Sequence, residues 1–289
     1  MAIGSGIEWT EATWNPATGC SKISPGCANC YAEKLSKRLQ LMSLKKYQKG
    51  FRYTEHYSEI NTPLKWTKPR RIFVNSMSDL FHEHASIDFI RKCFFTMIKA
   101  HQHTYQILTK RPEKMRKFSY LFEKEFDQKI PPYIWMGVSI ESQNYDWRIE
   151  ELRGVECFTR FISFEPLLGP IENVNLKGID WAIIGGESGY GYRGVKGEWI
   201  RSLINQCKKQ KVPVFFKQWG GPRPKSGGRE IDGKTFDEYP TIKITKKIRK
   251  QLVELKEIVC EIERQESLHV FAQSRREHNL IQIATIQSK

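Results

Sequence analysis

A chain of 289 residues with 39% hydrophobic content is long enough for one sizeable core, and a single β/α barrel of about this length is common. Its 47 Lys and Arg against 32 Asp and Glu leave a formal charge of +15, which suits a polyanionic partner, nucleic acid first, with simple solubility as the plainer reading. No apolar run reaches the roughly 18 residues of a membrane span, and the first residues lack a basic-then-apolar signal peptide, so a cytoplasmic protein without membrane contact is expected.

A first strand is expected within residues 7–14. It leads into a loop broken by Gly19, Pro25 and Gly26, on which three of the seven cysteines, Cys20, Cys27 and Cys30, fall within eleven residues. A helix-forming run starts at Tyr31, so the cysteines sit ahead of a helix N-terminus, where the macrodipole favours thiolates and anions. Residues 71–75 read as a strand followed by a helix over 87–99. A strand follows at 105–109, and Pro112 suits the first turn of the next helix. Strand 133–140 precedes a helix over about 142–152. Strand 158–164 has no long helix after it. Strand 180–184 precedes a helix over about 198–210, and 212–216 is the last strand. Near-continuous apolar strands alternating with helices indicate an α/β fold with a parallel sheet, open or closing into a partial or full TIM-like β/α barrel. Residues 220–228 form a Gly/Pro loop and Asp232-Gly233 a turn. From Thr241 the chain is Lys-rich and then helical through about residue 262. The expected division is a barrel domain over 1–240 and a basic helical C-terminal extension over 241–289. The cluster at 243–250 either touches phosphate or is a solvated helix face.

Active sites of parallel β/α folds form at the C-terminal ends of the strands. Those ends carry the cysteines, then Asn75 to Asp79, Thr109-Lys110-Arg111, Ser139 to Glu141, Ser163 to Pro166, Gly185 to Gly189, and Lys217-Gln218-Trp219. Any one of them reads as an ordinary loop or helix cap. Together they gather thiolates, carboxylates, cations and a Gly-rich turn on one rim.

In a reducing compartment a tight cysteine cluster reads as metal-binding or catalytic rather than as a disulfide. Three thiolates hold three irons of a [4Fe–4S] cluster and leave the fourth open. Zinc normally wants a fourth protein ligand. His56, His82, His84 and Cys93 are the candidates for it, none at recognisable finger spacing. The cysteines outside the loop read as core thiols.

The blocks around these residues resemble the phage Gp37/Gp68 (DUF5131) family. They are Trp-Asn-Pro-x-x-Gly-Cys with Cys-x-x-Cys-Tyr-Ala, Met77 to Phe81, Leu108 to Pro112, Gly137 to Glu141, Phe164 to Gly169, Gly185 to Gly189 and Phe216 to Gly220, spread between about Trp9 and Pro240. A more distant pattern is similar to radical S-adenosylmethionine enzymes, the spore photoproduct lyase-like branch most of all. That resemblance implies a partial barrel of the radical-enzyme type, with a [4Fe–4S] cluster on Cys20, Cys27 and Cys30. It implies S-adenosylmethionine chelated at the open iron, an electron donor as partner, and a 5′-deoxyadenosyl radical that abstracts hydrogen. The spacing departs from the usual three-then-two pattern, with six residues between Cys20 and Cys27 and two between Cys27 and Cys30. The usual Gly-Gly-Glu triplet is also displaced, its place being taken by Ser76, Ser78 and Asp79.

Within that resemblance, Ser78 and Asp79 are assigned to the methionine end of the cofactor, and Ser76 and Ser139 to its binding. Tyr31 either lies near the adenine or packs. Lys110 and Arg111 hold the cofactor carboxylate or a substrate phosphate. Gly185 and Gly186 let the backbone approach the nucleoside. Glu187, with Glu141 and Glu165, binds ribose hydroxyls, carries protons or orients Lys217, so Glu141, Glu165 and Lys217 are the catalytic candidates. A structural salt-bridge layer is the alternative for all of them. Trp219 stacks a base or packs in the core. The leading expectation is a radical enzyme that modifies or repairs nucleic acid, DNA or RNA. Its rivals are a non-enzymatic zinc- or cluster-binding nucleic-acid protein, and a radical enzyme acting on a protein or small molecule.

Overall fold

The computed structural model describes residues 4–287, with side chains described through residue 269. Its elements run β1 (Ala12–Trp14), β2 (Ala17–Thr18), α1 (Tyr31–Leu41), β3 (Thr54–Glu55), β4 (Arg71–Val74), α2 (Ile87–Lys99), β5 (Thr104–Thr109), α3 (Pro112–Phe126), β6 (Ile130–Ser139), α4 (Arg148–Arg153), β7 (Cys157–Phe164), β8 (Trp181–Gly185), α5 (Gly197–Lys209), β9 (Val214–Gln218) and α6 (Lys246–Gln287). Contacts divide the chain into two compact units, Met1–Lys243 and Ile244–Lys289. No helix of the described residues is long and apolar enough to cross a membrane.

Seven strands make one parallel sheet in the order β1-β4-β5-β6-β7-β8-β9. Among the described residues the edge strands β1 and β9 do not pair, so the barrel is partial and full closure is not realised. β2 and β3 pair separately as an antiparallel ladder.

The core lies inside the curve of the sheet. Trp9, Phe73, Trp135, Phe161, Trp181, Ile183 and Phe215 form one buried cluster. Trp181 stacks on Tyr239 at 5.2 Å, and its indole N–H donates to the Glu238 carbonyl at 2.7 Å, so the large ring is buried without an orphaned donor. Side chains alternate across a strand, so positions two apart share a face. Counting from Trp135 brings Gly137 and Ser139 inward, counting from Phe161 brings Ser163, counting from Ile183 brings Gly185, and counting from Phe215 brings Lys217. One parity therefore fills the bottom with aromatics and the top with polar groups.

On the outer side, α2 buries Phe89, Ile90, Cys93, Phe94, Met97 and Ile98, a helical stripe. Ser86 caps its N-terminus by accepting from the Phe89 N–H at 3.1 Å. Phe94 meets Phe118 of α3 with ring centroids 4.6 Å apart. Pro112 opens α3, and Asp127 closes it in the left-handed region at φ 51°.

Three expectations are corrected. The helix expected over 142–152 is a 3-10 turn at Gln143–Tyr145 followed by the short α4, because Asn144, Asp146 and Trp147 are weak helix formers. β6 starts earlier than expected, at Ile130. Its Pro131 and Pro132 cannot donate, and the register with β7 shifts between Ile130 and Trp135. The tail helix runs to Gln287 rather than to about 262, since no Gly or Pro interrupts it.

Candidate metal centre on the strand-end rim

The cysteine loop is pinned at its start by backbone. Gly19 N–H donates to the Met77 carbonyl and Cys20 N–H to the Phe51 carbonyl, both at 3.0 Å. Gly19 has φ +80°, and a Cβ there would sit 2.2 Å from the Arg52 carbonyl oxygen, so glycine is required. Asn15 accepts from the Met77 N–H at 3.0 Å and from Ser76 Oγ at 3.2 Å. Cys27 lies in a 3-10 turn, Pro25–Cys27, and Cys30 is the N-cap residue of α1.

Each rim carboxylate expected from the sequence is ion-paired. Glu141 is fully buried and is the central clamp of the loop. Its Oε1 takes Lys110 Nζ at 2.5 Å and Ser24 Oγ at 2.5 Å, and its Oε2 takes Arg148 Nη1 at 3.0 Å. Arg148, only 2% exposed, also donates to the Ser139 carbonyl at 2.7 Å. A Cβ on Gly26 would lie 2.5 Å from Glu141 and 2.8 Å from Lys110 Nζ, so the loop reaches this pair only because residue 26 is glycine.

On the opposite side Glu187 takes Arg193 Nη2 at 2.5 Å, the Arg193 backbone N–H at 2.8 Å and Asn29 Nδ2 at 3.0 Å. Arg193 also donates to the Pro25 carbonyl at 3.0 Å. Burial pushes the Glu187 carboxyl up, but the hydrogen bonds from Arg193 and Asn29 hold it below its ordinary value.

Asp79 accepts from Thr109 Oγ1 at 2.7 Å, the Phe81 N–H at 2.9 Å, Arg111 Nη1 at 3.1 Å and the Lys110 N–H at 3.3 Å. Ser78 Oγ donates to the Gly19 carbonyl at 2.7 Å. Both residues expected at the methionine end therefore brace the loop and Arg111. Tyr31 is half exposed, and its hydroxyl donates to the Ser76 carbonyl.

Glu165 takes Lys217 Nζ at 3.1 Å and Ser163 Oγ at 3.0 Å. Its side chain is 14% exposed, against 0% for Glu141, 6% for Glu187 and 8% for Asp79, which makes it the most accessible of the four. The two glycines assigned to nucleoside approach have other neighbours. A Cβ on Gly185 would lie 2.6 Å from Glu165 Oε1, and one on Gly186 would lie 2.1 Å from the Trp219 carbonyl oxygen. They make room for the Glu165 carboxylate and for the backbone just after β9. Trp219 packs edge-on to Phe216 and donates to the Glu230 carbonyl at 2.7 Å.

Cys20 Sγ lies 3.5 Å from Arg111 Nη1, and Cys27 Sγ lies 3.7 Å from Lys110 Nζ and 3.6 Å from Ser24 Oγ. Burial and the Asp79 carboxylate push the Cys20 thiol up to about 12 in spite of Arg111. Burial also raises Cys27, but Lys110 and the hydrogen bonds from Ile23 and Ser24 bring it net below the ordinary thiol value. Among the described residues no three His, Cys, Asp or Glu side chains are placed to hold a metal ion. Ligands of one ion must converge on a point, whereas three cluster thiolates each bind a separate iron. The donor set suits the latter: three thiols share one loop, a cation lies beside two of them, and a helix N-terminus follows the third.

The zinc candidates have the following surroundings. His82 Nε2 accepts from the Ser21 N–H at 3.2 Å, its ring stacks on Tyr53 at 4.4 Å, and burial with the nearby Arg111 holds it down to about 4. His56 is hydrogen-bonded to Thr18 at 2.8 Å, Cys93 is fully buried within α2, and His84 is exposed beside His82.

Sequence reasoning missed Ser24, Asn29, Arg148, Arg193 and Glu83, which accepts from Arg111 Nε at 3.0 Å. Arg193 follows the Gly-rich turn closely enough to have been a candidate. Arg148 carried no signal, since a helical arginine normally faces water.

Residues 4–240 match the family described as "Protein of unknown function (DUF5131)", and the chain belongs to that family. No curated protein and no solved structure matches it.

Proposed function

We propose that this member of the DUF5131 family is an iron–sulfur radical S-adenosylmethionine enzyme that modifies or repairs nucleic acid. One observation carries the reading: three thiols on a braced loop at the C-terminal rim of a partial parallel β/α barrel, two of them beside cations. Cys20, Cys27 and Cys30 would hold a [4Fe–4S] cluster. With its fourth iron open, that group supplies the electron for reductive cleavage of S-adenosylmethionine.

The chain's own residues do the rest. Glu141, Lys110 and Ser24 hold the Cys27 turn, and Asp79 aims Arg111 at Cys20. Ser76 and Asn15 fix the turn after β4 beside Tyr31, and the Ser139 carbonyl fixes Arg148 against Glu141. Glu165, the most accessible rim carboxylate, is poised with Lys217 to bind a ribose hydroxyl or carry a proton. The +15 charge supports a polyanionic substrate.

Anaerobic purification tests the reading. A brown protein with about four irons per chain, losing them when Cys20, Cys27 and Cys30 become Ala, and forming 5′-deoxyadenosine with dithionite, is expected. One tightly held zinc and no iron after anaerobic reconstitution would point instead to a non-enzymatic nucleic-acid-binding protein. Glu165→Gln is expected to keep its iron and lose turnover.

A further inference from the structure

We infer that the turn at residues 188–193 is a stacking platform for an unpaired nucleobase, with Tyr190 and Tyr192 as the stacking rings. The inference rests on the nucleic-acid reading above and names the form in which that substrate is taken. Tyr190 is 91% exposed, more than any other large hydrophobic side chain described, and Tyr192 is 42% exposed. Among the described residues neither ring makes an aromatic or cation–π contact.

The turn that carries them is nonetheless anchored. Asn29 Nδ2 donates to the Gly191 carbonyl at 2.8 Å and Lys34 Nζ donates to the Tyr190 carbonyl at 2.9 Å. Glu187 and Arg193 lock its two ends, and Arg193 reaches back to the Pro25 carbonyl at 3.0 Å. Every one of these anchors but Glu187–Arg193 lies on the cysteine loop or the first turn of α1. The turn is thus tied to the segment that carries the cysteines.

The surrounding charge favours a polyanion over an apolar protein surface. Among the described residues Lys34 bonds a neutral carbonyl and makes no ion pair. Glu187 is neutralised by Arg193, and Glu33 is shared between Lys22 and Lys37. Two exposed tyrosines beside the Lys34 ammonium match the way single strands are held, bases on aromatic faces and backbone on cations. A duplex hides its base faces, so such a platform engages a base of a single strand.

The test uses the whole protein and fluorescence anisotropy. Short labelled single-stranded DNA, single-stranded RNA and a blunt duplex of the same sequence are titrated at low salt. Single strands of at least one kind are expected to bind tighter than the duplex, and the two single-stranded arms distinguish DNA from RNA. The double variant Tyr190→Ala, Tyr192→Ala is expected to bind single strands about tenfold or more weaker, while the Phe counterparts keep the affinity. An unchanged melting temperature and iron content confirm that the Ala variant is folded. Unchanged single-strand affinity in that variant, or a parent that prefers duplex, overturns the platform but leaves the wider reading standing. If no nucleic acid binds at all while iron and 5′-deoxyadenosine formation are normal, the nucleic-acid reading falls and the platform with it.

Discussion

Glu141 illustrates how much one side chain can organise. It is fully buried, yet it carries Lys110, Arg148 and Ser24 at once. A buried ion pair is weak evidence of net stabilisation, but removing one partner leaves an uncompensated buried charge. Glu141→Ala is therefore expected to destabilise the fold by about 3–5 kcal/mol and to loosen the loop that bears Cys27, which chemical denaturation and iron content would register. His82 supplies a pH dependence. Its folded-state value, about 4, lies below the ordinary 6.5 because burial disfavours the imidazolium. As pH falls from 6.5 the unfolded chain takes up the proton first, so stability is full above 6.5 and is lost as pH drops toward 4. The loss is on the order of 3 kcal/mol. His82→Asn should flatten that part of the profile. Urea midpoints at neutral and mildly acidic pH would show it, and an equal slope in both proteins would rule it out.

At the scale of the elements, strand parity decides which residues can meet. The alternation that sends Trp135, Phe161 and Phe215 into the core sends Ser139, Ser163 and Lys217 inward one or two pleats higher. Outside, α2 and α3 pack on this layer, while α4 sends Arg148 to Glu141 and α1 starts from Cys30. Ser86→Ala, which removes the N-cap of α2, is expected to cost about 1 kcal/mol and leave iron content unchanged. A variant that loses iron as well would mean that α2 supports the cysteine loop directly. The expected strand positions were close because their hydrophobic runs are long and bounded by turn residues. The expected helix before α4 fell short because its first turn is made of residues that prefer turns.

The whole molecule adds its field. A +15 chain that holds nucleic acid through its backbone must release counterions on binding. With two or more phosphate contacts, the logarithm of the affinity for single strands should fall against the logarithm of salt with a slope of roughly −1.4 or steeper. A flat dependence would mean that the positive charge is not the binding determinant. The open edges of the sheet, β1 and β9, also belong to this scale: chain order along the sheet predicts neighbours, but closure depends on the accumulated twist and the strand number.

The sequence by itself determined the cysteine loop, the strand-end rim and the charge, because periodicity and turn residues act over a few neighbouring positions. Cys20, Cys27, Cys30, Glu141, Glu165 and Lys217 were all legible in that way. Only the tertiary structure decided the partners. Ser24 meets Glu141 across 117 positions, Asn29 meets Glu187 across 158, and Arg193 meets Pro25 across 168. Such pairs depend on the order and curvature of the sheet, which no local pattern encodes. The same holds for Gly26, Gly185 and Gly186, where what a side chain would strike lies on a distant segment. So too for Tyr190 and Tyr192: their type was in the sequence, and their exposure on a turn tied to the cysteine segment came from folding.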